Sequence, residues 1–287
     1  MIIGYVGLGL MGAPCVHNLL KAGYTVHVWA RNPKATASLT DAGAIAAASL
    51  QELGAAVDVL FTNVSDTPDV EEVLLGPTGV VHCGKKGLVI VDMSTISAIA
   101  TRDIHARLAN AGMEFVDAPV SGGTTGAKQG TLTFMVGASQ ATFDRIQPIL
   151  ASMGKTITRI GDVGAGQVAK SCNQIIITGT IAAVAEAITF AQAANVDFTP
   201  VRQALMGGFA SSRVLDLHGQ AMINDSYAPG FKIALHNKDI NIVTKLAAEL
   251  GLSLPQTTLG SSLLGKAIEA GYGEEDSSAL RKVIRDM

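Results

Sequence analysis

Lys170 is the residue in this sequence best placed to do chemistry. It stands near the start of an apolar segment, residues 166–195, that has no proline and reads as one helix buried nearly all round. Asn173 follows three residues later, on the same helical face. A lysine on such a helix must reach water, find a partner or take part in a reaction. Protonated, it can pass a proton to a developing alkoxide and stabilise the charge. An ordinary lysine titrates near ~10.4, so Lys170 starts protonated at neutral pH, which suits carbonyl reduction. The plain alternative is a lysine whose stem packs while its head reaches solvent.

Two glycine turns could hold anions. Asp117-Ala-Pro-Val-Ser-Gly-Gly123 ends in Ser121, Gly122 and Gly123, whose amides can face a carboxylate while Ser121 adds a hydroxyl. The other turn, Gly7-Leu8-Gly9-Leu10-Met11-Gly12, sits between an apolar run at 2–6 and a helix at 13–22. There Gly7 makes a tight turn, Gly9 admits a pyrophosphate and Gly12 packs helix on strand. A second strand follows at 25–29. Its end, where a ribose-binding acid is usual, is Ala30, and no acidic residue precedes Asp41. Arg31 and Asn32 come next. An arginine there grips a 2′-phosphate, which points to NADP rather than NAD.

These residues need elements to position them. Further strands are expected at 57–62, 88–92, 114–117 and 131–137, with helices between, among them 49–53 and 98–111. Apolar strands alternating with helices give an α/β fold: a Rossmann-type, doubly wound and mostly parallel sheet. After Gly161 only helices are expected, at 166–195, 199–207, 214–223, 236–250, 255–270 and 276–286. The division is therefore 1–162, an NADP-binding domain, and 163–287, an all-α domain for substrate and oligomerisation, entered through the long helix.

Composition excludes other classes. The 287 residues are 48% hydrophobic and 16% charged, with net charge −3. That supports two packed cores and offers no basic stripe, so nucleic acid is not expected. Lys170, Asn173, Glu186 and Gln192 interrupt the apolar helix, so a membrane span is not expected either. Met1 leads straight into a strand, which leaves no place for a leader peptide. Cys15, Cys83 and Cys172 lack metal or redox spacing, as do the six histidines, so no metal is expected and a cytoplasmic setting is. Cys172 reads as packing, and each histidine as structural and satisfied.

Four blocks together carry a resemblance: residues 7–12, 117–123, 166–173 and Gly230-Phe-Lys-Ile-Ala-Leu-His-Asn-Lys-Asp239. Over essentially its whole length the chain resembles the β-hydroxyacid dehydrogenase family, relatives of 6-phosphogluconate dehydrogenase. Phe231, His236 and the tail from Asp276 to Leu280 look most like the tartronate semialdehyde reductases of that family. The resemblance implies Lys170 as catalytic acid/base, and Ser121, Gly122 and Gly123 as the carboxylate site. It implies Asn173 for substrate orientation and Thr95 between cofactor and substrate. Phe231 and Lys238 fall on the cofactor side, with Asp239 bracing them. Asn63 and Val64 stand where the family often has Leu-Pro beside the cofactor. From sequence alone Lys238 and Asp239 could equally be a charge pair at a helix start, and Asp276 reads as a helix cap. The implied activity is NADPH-dependent reduction of tartronate semialdehyde, succinic semialdehyde, glyoxylate or methylmalonate semialdehyde. An NAD-dependent 3-hydroxyisobutyrate dehydrogenase and a non-catalytic dinucleotide-binding scaffold are the alternatives. The assembly implied is a homodimer or homotetramer.

Overall fold

The computed structural model describes residues 1–287, which fall into two compact units, 1–170 and 171–287. The first unit alternates strands and helices. Its first half runs β1 (Ile2–Val6), α1 (Gly12–Lys21), β2 (Thr25–Trp29), α2 (Ala37–Asp41), β3 (Ile45–Ala46), α3 (Leu50–Ala56), β4 (Val59–Thr62) and α4 (Thr67–Leu75). It continues with β5 (Val89–Asp92), α5 (Ala98–Asn110), β6 (Glu114–Asp117), β7 (Val120–Ser121), α6 (Gly123–Gln129), β8 (Leu132–Gly137), α7 (Gln140–Leu150) and β9 (Gly154–Gly161). The nine strands form one sheet ordered β3-β2-β1-β4-β5-β6-β8-β7, with β9 also on β8. From β3 to β6 all neighbours are parallel, the order of a dinucleotide-binding sheet. The strand β8 runs antiparallel to β6 and β7 and parallel to β9.

Strand periodicity of two explains the two cores of this unit. Ile3, Tyr5, Val59, Phe61, Val89 and Val91 point into one cluster with Leu19 of α1 and Ile146 of α7. Leu60 and Ile90, the residues between, point into the other with Leu53, Leu74 and Ile104 of α3, α4 and α5. Both faces are covered by helices, as continuous apolar strands require. The short strands β3 and β7 and the edge strand β9 have no such apolar run. β9 reads GKTITRIG, with one residue of eight buried, and was therefore not expected from the sequence.

The second unit is helical. α8 (Ala165–Ala193) begins in the first unit and continues through this one. After it come α9 (Phe198–Met206), α10 (Arg213–Ile223), α11 (Ile233–Glu249) and α12 (Pro255–Glu269), then a 3₁₀ turn at Ser277–Ala279 and α13 (Leu280–Arg285). Ile181, Ala185 and Ile188 of α8 form this unit's core with Phe198, Leu215, Met222, Ile240 and Leu264.

Two expectations need correction. By length and composition alone α8 could cross a membrane, but it is not buried all round. Val168, Ile176 and Phe190 are exposed, because a helix with 3.6 residues per turn buries one stripe. That stripe steps through Gln167, Lys170, Gln174, Thr178, Ile181, Ala185 and Ile188, and its first half is polar. Cys172, off the stripe, is exposed rather than packed.

Candidate active site

The glycine turn has the shape a dinucleotide phosphate needs. Gly7 has φ +95°, and a Cβ on Gly12 would lie 1.9 Å from the Gly7 carbonyl oxygen. Only glycine fits either place. Gly9 differs, since nothing lies within 4 Å of where its Cβ would be. Its freedom from a side chain keeps the approach to the loop open. α1 starts here without a side-chain cap and without an acid in its first turn. The Ala13 amide is taken by the Gly9 carbonyl oxygen at 3.1 Å and Pro14 has none, so an anion would meet the loop amides and the helix dipole. The pyrophosphate of a dinucleotide fits this cradle.

At the end of β2, Arg31 is exposed and lies 3.6 Å from Asp69 of α4. Such a pair contributes little and leaves the guanidinium open to exchange. Asn32 accepts from the Lys34 amide and caps the next turn.

The loops after β4 and β5 are tied together. Asp92 accepts from the Thr62 hydroxyl at 2.7 Å and from the Ser94 amide at 3.2 Å. The Ser94 hydroxyl accepts from the Val64 amide at 2.9 Å. Asn63 and Val64 therefore sit beside the loop that carries Thr95.

Asp117, at the end of β6, is a residue whose role the sequence reading missed. Its carboxylate accepts from the Gly164 amide at 2.7 Å and the Gln167 amide at 2.8 Å, so it caps α8 from 47 residues away. A Cβ on Gly166 would lie 2.8 Å from the same carboxylate and 2.3 Å from the Met135 carbonyl oxygen, which accounts for that glycine. No local cap pattern could reveal this, because donor and acceptor meet only through the sheet. Burial pushes the Asp92 and Asp117 carboxyls up, each to about 6, against hydrogen bonds that favour their ionised forms.

One turn beyond this cap, Lys170 is 8% exposed, and its Nζ donates to the Val120 carbonyl oxygen at 2.9 Å. Val120 precedes the Ser121–Gly123 turn. Gly122 and Gly123 both have positive φ, and nothing lies within 4 Å of a Cβ on Gly123. An ammonium thus stands beside a turn of small residues able to admit an anion.

The second unit holds the remaining residues. Asn173 Nδ2 donates to Gln174 Oε1 at 2.7 Å, and Gln174 Nε2 donates to Asp239 Oδ2 at 2.7 Å. Asp239 Oδ1 pairs with Lys238 at 2.9 Å. This pair lies inside α11, five residues after its first residue, not at a helix start. Gln174, also missed, fixes the Asn173 amide. His236 is bound on both ring nitrogens, by Thr178 at 2.7 Å and Ser277 at 3.0 Å. The Ser277 hydroxyl also donates to the Phe231 carbonyl oxygen at 2.9 Å, and the Thr178 hydroxyl to that of Gln174 at 2.7 Å. Phe231 also lies against the imidazole. Asp276 caps the 3₁₀ turn and in addition accepts from the Gly230 and Phe231 amides, both at 3.0 Å. The expectation of six satisfied histidines fails for His105 and His218, whose buried Nδ1 atoms have no partner. Burial lowers the His218 pKa, which keeps that ring neutral.

A sheet of this order with such a phosphate cradle defines a dinucleotide-binding domain. Comparison with known proteins narrows the class. Residues 2–161 match the family model for the NAD-binding domain of 6-phosphogluconate dehydrogenase. Residues 164–284 match that for the NAD-binding of NADP-dependent 3-hydroxyisobutyrate dehydrogenase. The chain is 45% identical to 2-hydroxy-3-oxopropionate reductase of Escherichia coli (strain K12), covering 100% of this chain and 98% of that protein. A solved Mycobacterium tuberculosis 3-hydroxyisobutyrate dehydrogenase with L-serine is 31% identical, with TM-score 0.90 over 99% of this chain and all of that one. A solved structure of Psf3 in complex with NADP+ and 2-OPP is 25% identical, with TM-score 0.89 over 99% of this chain and 100% of that one. The chain belongs to the β-hydroxyacid dehydrogenase family, close to tartronate semialdehyde reductase.

Proposed function

We propose that this protein is an NADPH-dependent reductase of a short semialdehyde acid, with tartronate semialdehyde, reduced to glycerate, as the leading substrate. Succinic semialdehyde and glyoxylate are the next in line. The observation that carries the reading is the Lys170 ammonium held at 2.9 Å by the carbonyl of Val120, the residue before Ser121. In this reading the Ser121 hydroxyl and the amides of Gly122 and Gly123 bind the substrate carboxylate. That anchor fixes the carbonyl carbon in a reactive position. Lys170 gives its proton to the carbonyl oxygen as charge develops there. A bound reduced nicotinamide supplies the hydride. Asn173, its amide fixed by Gln174, orients the substrate. Thr95, Asn63 and Val64 line the cofactor side, as do Phe231 and Lys238, and Asp239 braces Lys238. The residues at Gly7–Gly12 and Asn32 hold the dinucleotide, and Arg31 binds the 2′-phosphate. The functional division runs 1–162 for cofactor and 163–287 for substrate and assembly.

The same reading places the protein in the cytoplasm, consistent with its three free thiols. It also makes it a homodimer or homotetramer packed through the helical unit. That unit exposes Ile176, Phe190, Phe209 and Leu259. A monomer by light scattering at micromolar concentration would contradict the assembly.

The test is NADPH and NADH oxidation with the three acids and an uncharged aldehyde of equal length. Carboxylated substrates should give much higher kcat/KM with NADPH. Arg31→Ala should remove about 1.5–3 kcal/mol from the NADPH reaction and leave the NADH one nearly unchanged. Equal rates for charged and uncharged aldehydes would contradict the anion site. Absence of turnover with every aldehyde would favour a dinucleotide-binding scaffold.

A further inference from the structure

The proposed reaction makes no use of Gln167, although it is 1% exposed and lies one helical turn before Lys170. Its amide makes two bonds to one short peptide segment. Oε1 accepts from the Ile96 amide at 3.2 Å, and Nε2 donates to the Ser94 carbonyl oxygen at 2.8 Å. These are the backbone groups on either side of Thr95. A carboxamide offers a matching acceptor and donor on one planar group. A carboxylate would turn lone pairs toward the Ser94 oxygen, and an apolar side chain would leave both groups unsatisfied in the interior.

Both ends of this clamp are themselves fixed. The backbone N–H of Gln167 donates to Asp117, and Gly166 packs against the same carboxylate. On the other side, Ser94 is bound through its amide to Asp92 and through its hydroxyl to the Val64 amide. The segment cannot slide without breaking several buried bonds. We propose that Gln167 is a positioning residue that fixes Thr95 at a set separation from the helical turn carrying Lys170, and so aligns the proton donor for transfer. This inference rests on the reading of Lys170 as that donor.

Gln167→Glu and Gln167→Met test it. In the Glu variant the ionised side chain keeps the Ile96 bond and opposes the Ser94 oxygen. Once protonated it donates to Ser94 and rebuilds the clamp. The charged and titratable groups around this position are Asp117 of β6, Asp92 of β5, Lys170 of α8 and Arg102 of α5, which packs against Gly164. All are present in the parent too, so the variant-to-parent ratio at each pH removes their own titration and leaves what residue 167 adds, including its coupling to Asp92 and Asp117. Expected is a kcat about 10- to 100-fold below the parent at about pH 8.5, the scale of a misplacement near 1 Å. For the Glu variant that ratio should recover severalfold toward about pH 6, since a buried carboxyl holds its proton there. The Met variant, close in volume, should fold, bind NADPH like the parent, and show a pH-independent deficit. Hydrogen exchange at the Ile96 amide should quicken in it.

A Glu-to-parent ratio flat with pH, a Met variant with parental kcat, or unchanged exchange at Ile96 would each overturn the inference. Lys170→Ala is assayed beside them. If it loses turnover while the Gln167 variants keep theirs, the positioning role falls and the proposed function stands. If Lys170→Ala keeps turnover, the underlying reading falls and takes this inference with it.

Discussion

The two units build their polar sites by different means. In the first, the phosphate cradle is made of backbone: Gly7 at a φ closed to other residues, Gly12 with no room for a Cβ, and a helix start without a side-chain cap. In the second, the polar groups are side chains bonded to side chains. Asn173, Gln174, Asp239 and Lys238 form one chain, and Thr178, His236 and Ser277 another. A backbone site constrains residue type at fixed spacing, because only glycine fits. A side-chain network constrains partners that lie far apart in sequence and leaves no local mark.

The contrast is sharpest at the glycine turn. Gly12→Ala puts a methyl 1.9 Å from the Gly7 carbonyl oxygen, so the backbone must move. We expect a loss of about 3 kcal/mol or more in unfolding free energy, measured by urea titration. Gly9→Ala meets no protein atom and should keep the parent's Tm. It should nevertheless lose dinucleotide affinity by calorimetry. If both variants lose stability alike, Gly9 is structural and the cradle is misassigned.

The next effect is on pH dependence in the first unit. Asp92 and Asp117 titrate near 6 in the folded protein, and burial is the main cause. A raised carboxyl pKa means the folded state holds more protons than the unfolded one between about 4 and 6. Their contribution to stability is therefore greatest below that window and falls as pH rises through it. Asp92 also has a buried Oδ2 with no partner, whereas Asp117 is bonded through both oxygens. Asp92→Asn should flatten the stability–pH curve over this window, by ~3 kcal/mol at most at about 1.4 kcal/mol per unit. An unchanged slope would show that Asp92 is not titrating there.

The smallest effect tests the second unit. Asp239→Ala removes the acceptor of Gln174 Nε2 and a partner of Lys238. A cost of about 2 kcal/mol is expected, the range for stranding buried donors. It should come with a fall in kcat, because the Asn173 amide loses its brace. A stable variant with normal kcat would mean that this network is not part of the site.

The sequence carried the parallel part of the fold and the glycine cradle, since apolar runs and glycine spacing are local signals. It also pointed to Lys170, because a lysine on an apolar helix is conspicuous. It did not carry β9, whose residues are mostly exposed. Nor did it reveal Asp117, which reaches α8 only through sheet pairing. Gln167 and Gln174 were passed over for a related reason. A glutamine on a helix looks like a solvent-facing residue until the stripe it occupies proves buried. Cys172 errs in the opposite sense: two residues from Lys170 it points off that face and reads as packing, but the helix buries one stripe and the residue is exposed.

The central claim is that Lys170 donates the proton. The most direct measurement is kcat for Lys170→Ala with NADPH and a carboxylated semialdehyde, taken with NADPH affinity and Tm on the same sample. The account predicts kcat lowered by about 10²–10⁴, with affinity and fold retained, because the cofactor cradle is made by other elements and alanine favours helix. Lys170→Arg should also be poor, since a guanidinium does not release its proton near neutral pH. A folded, NADPH-binding Lys170→Ala protein with normal kcat would contradict the account.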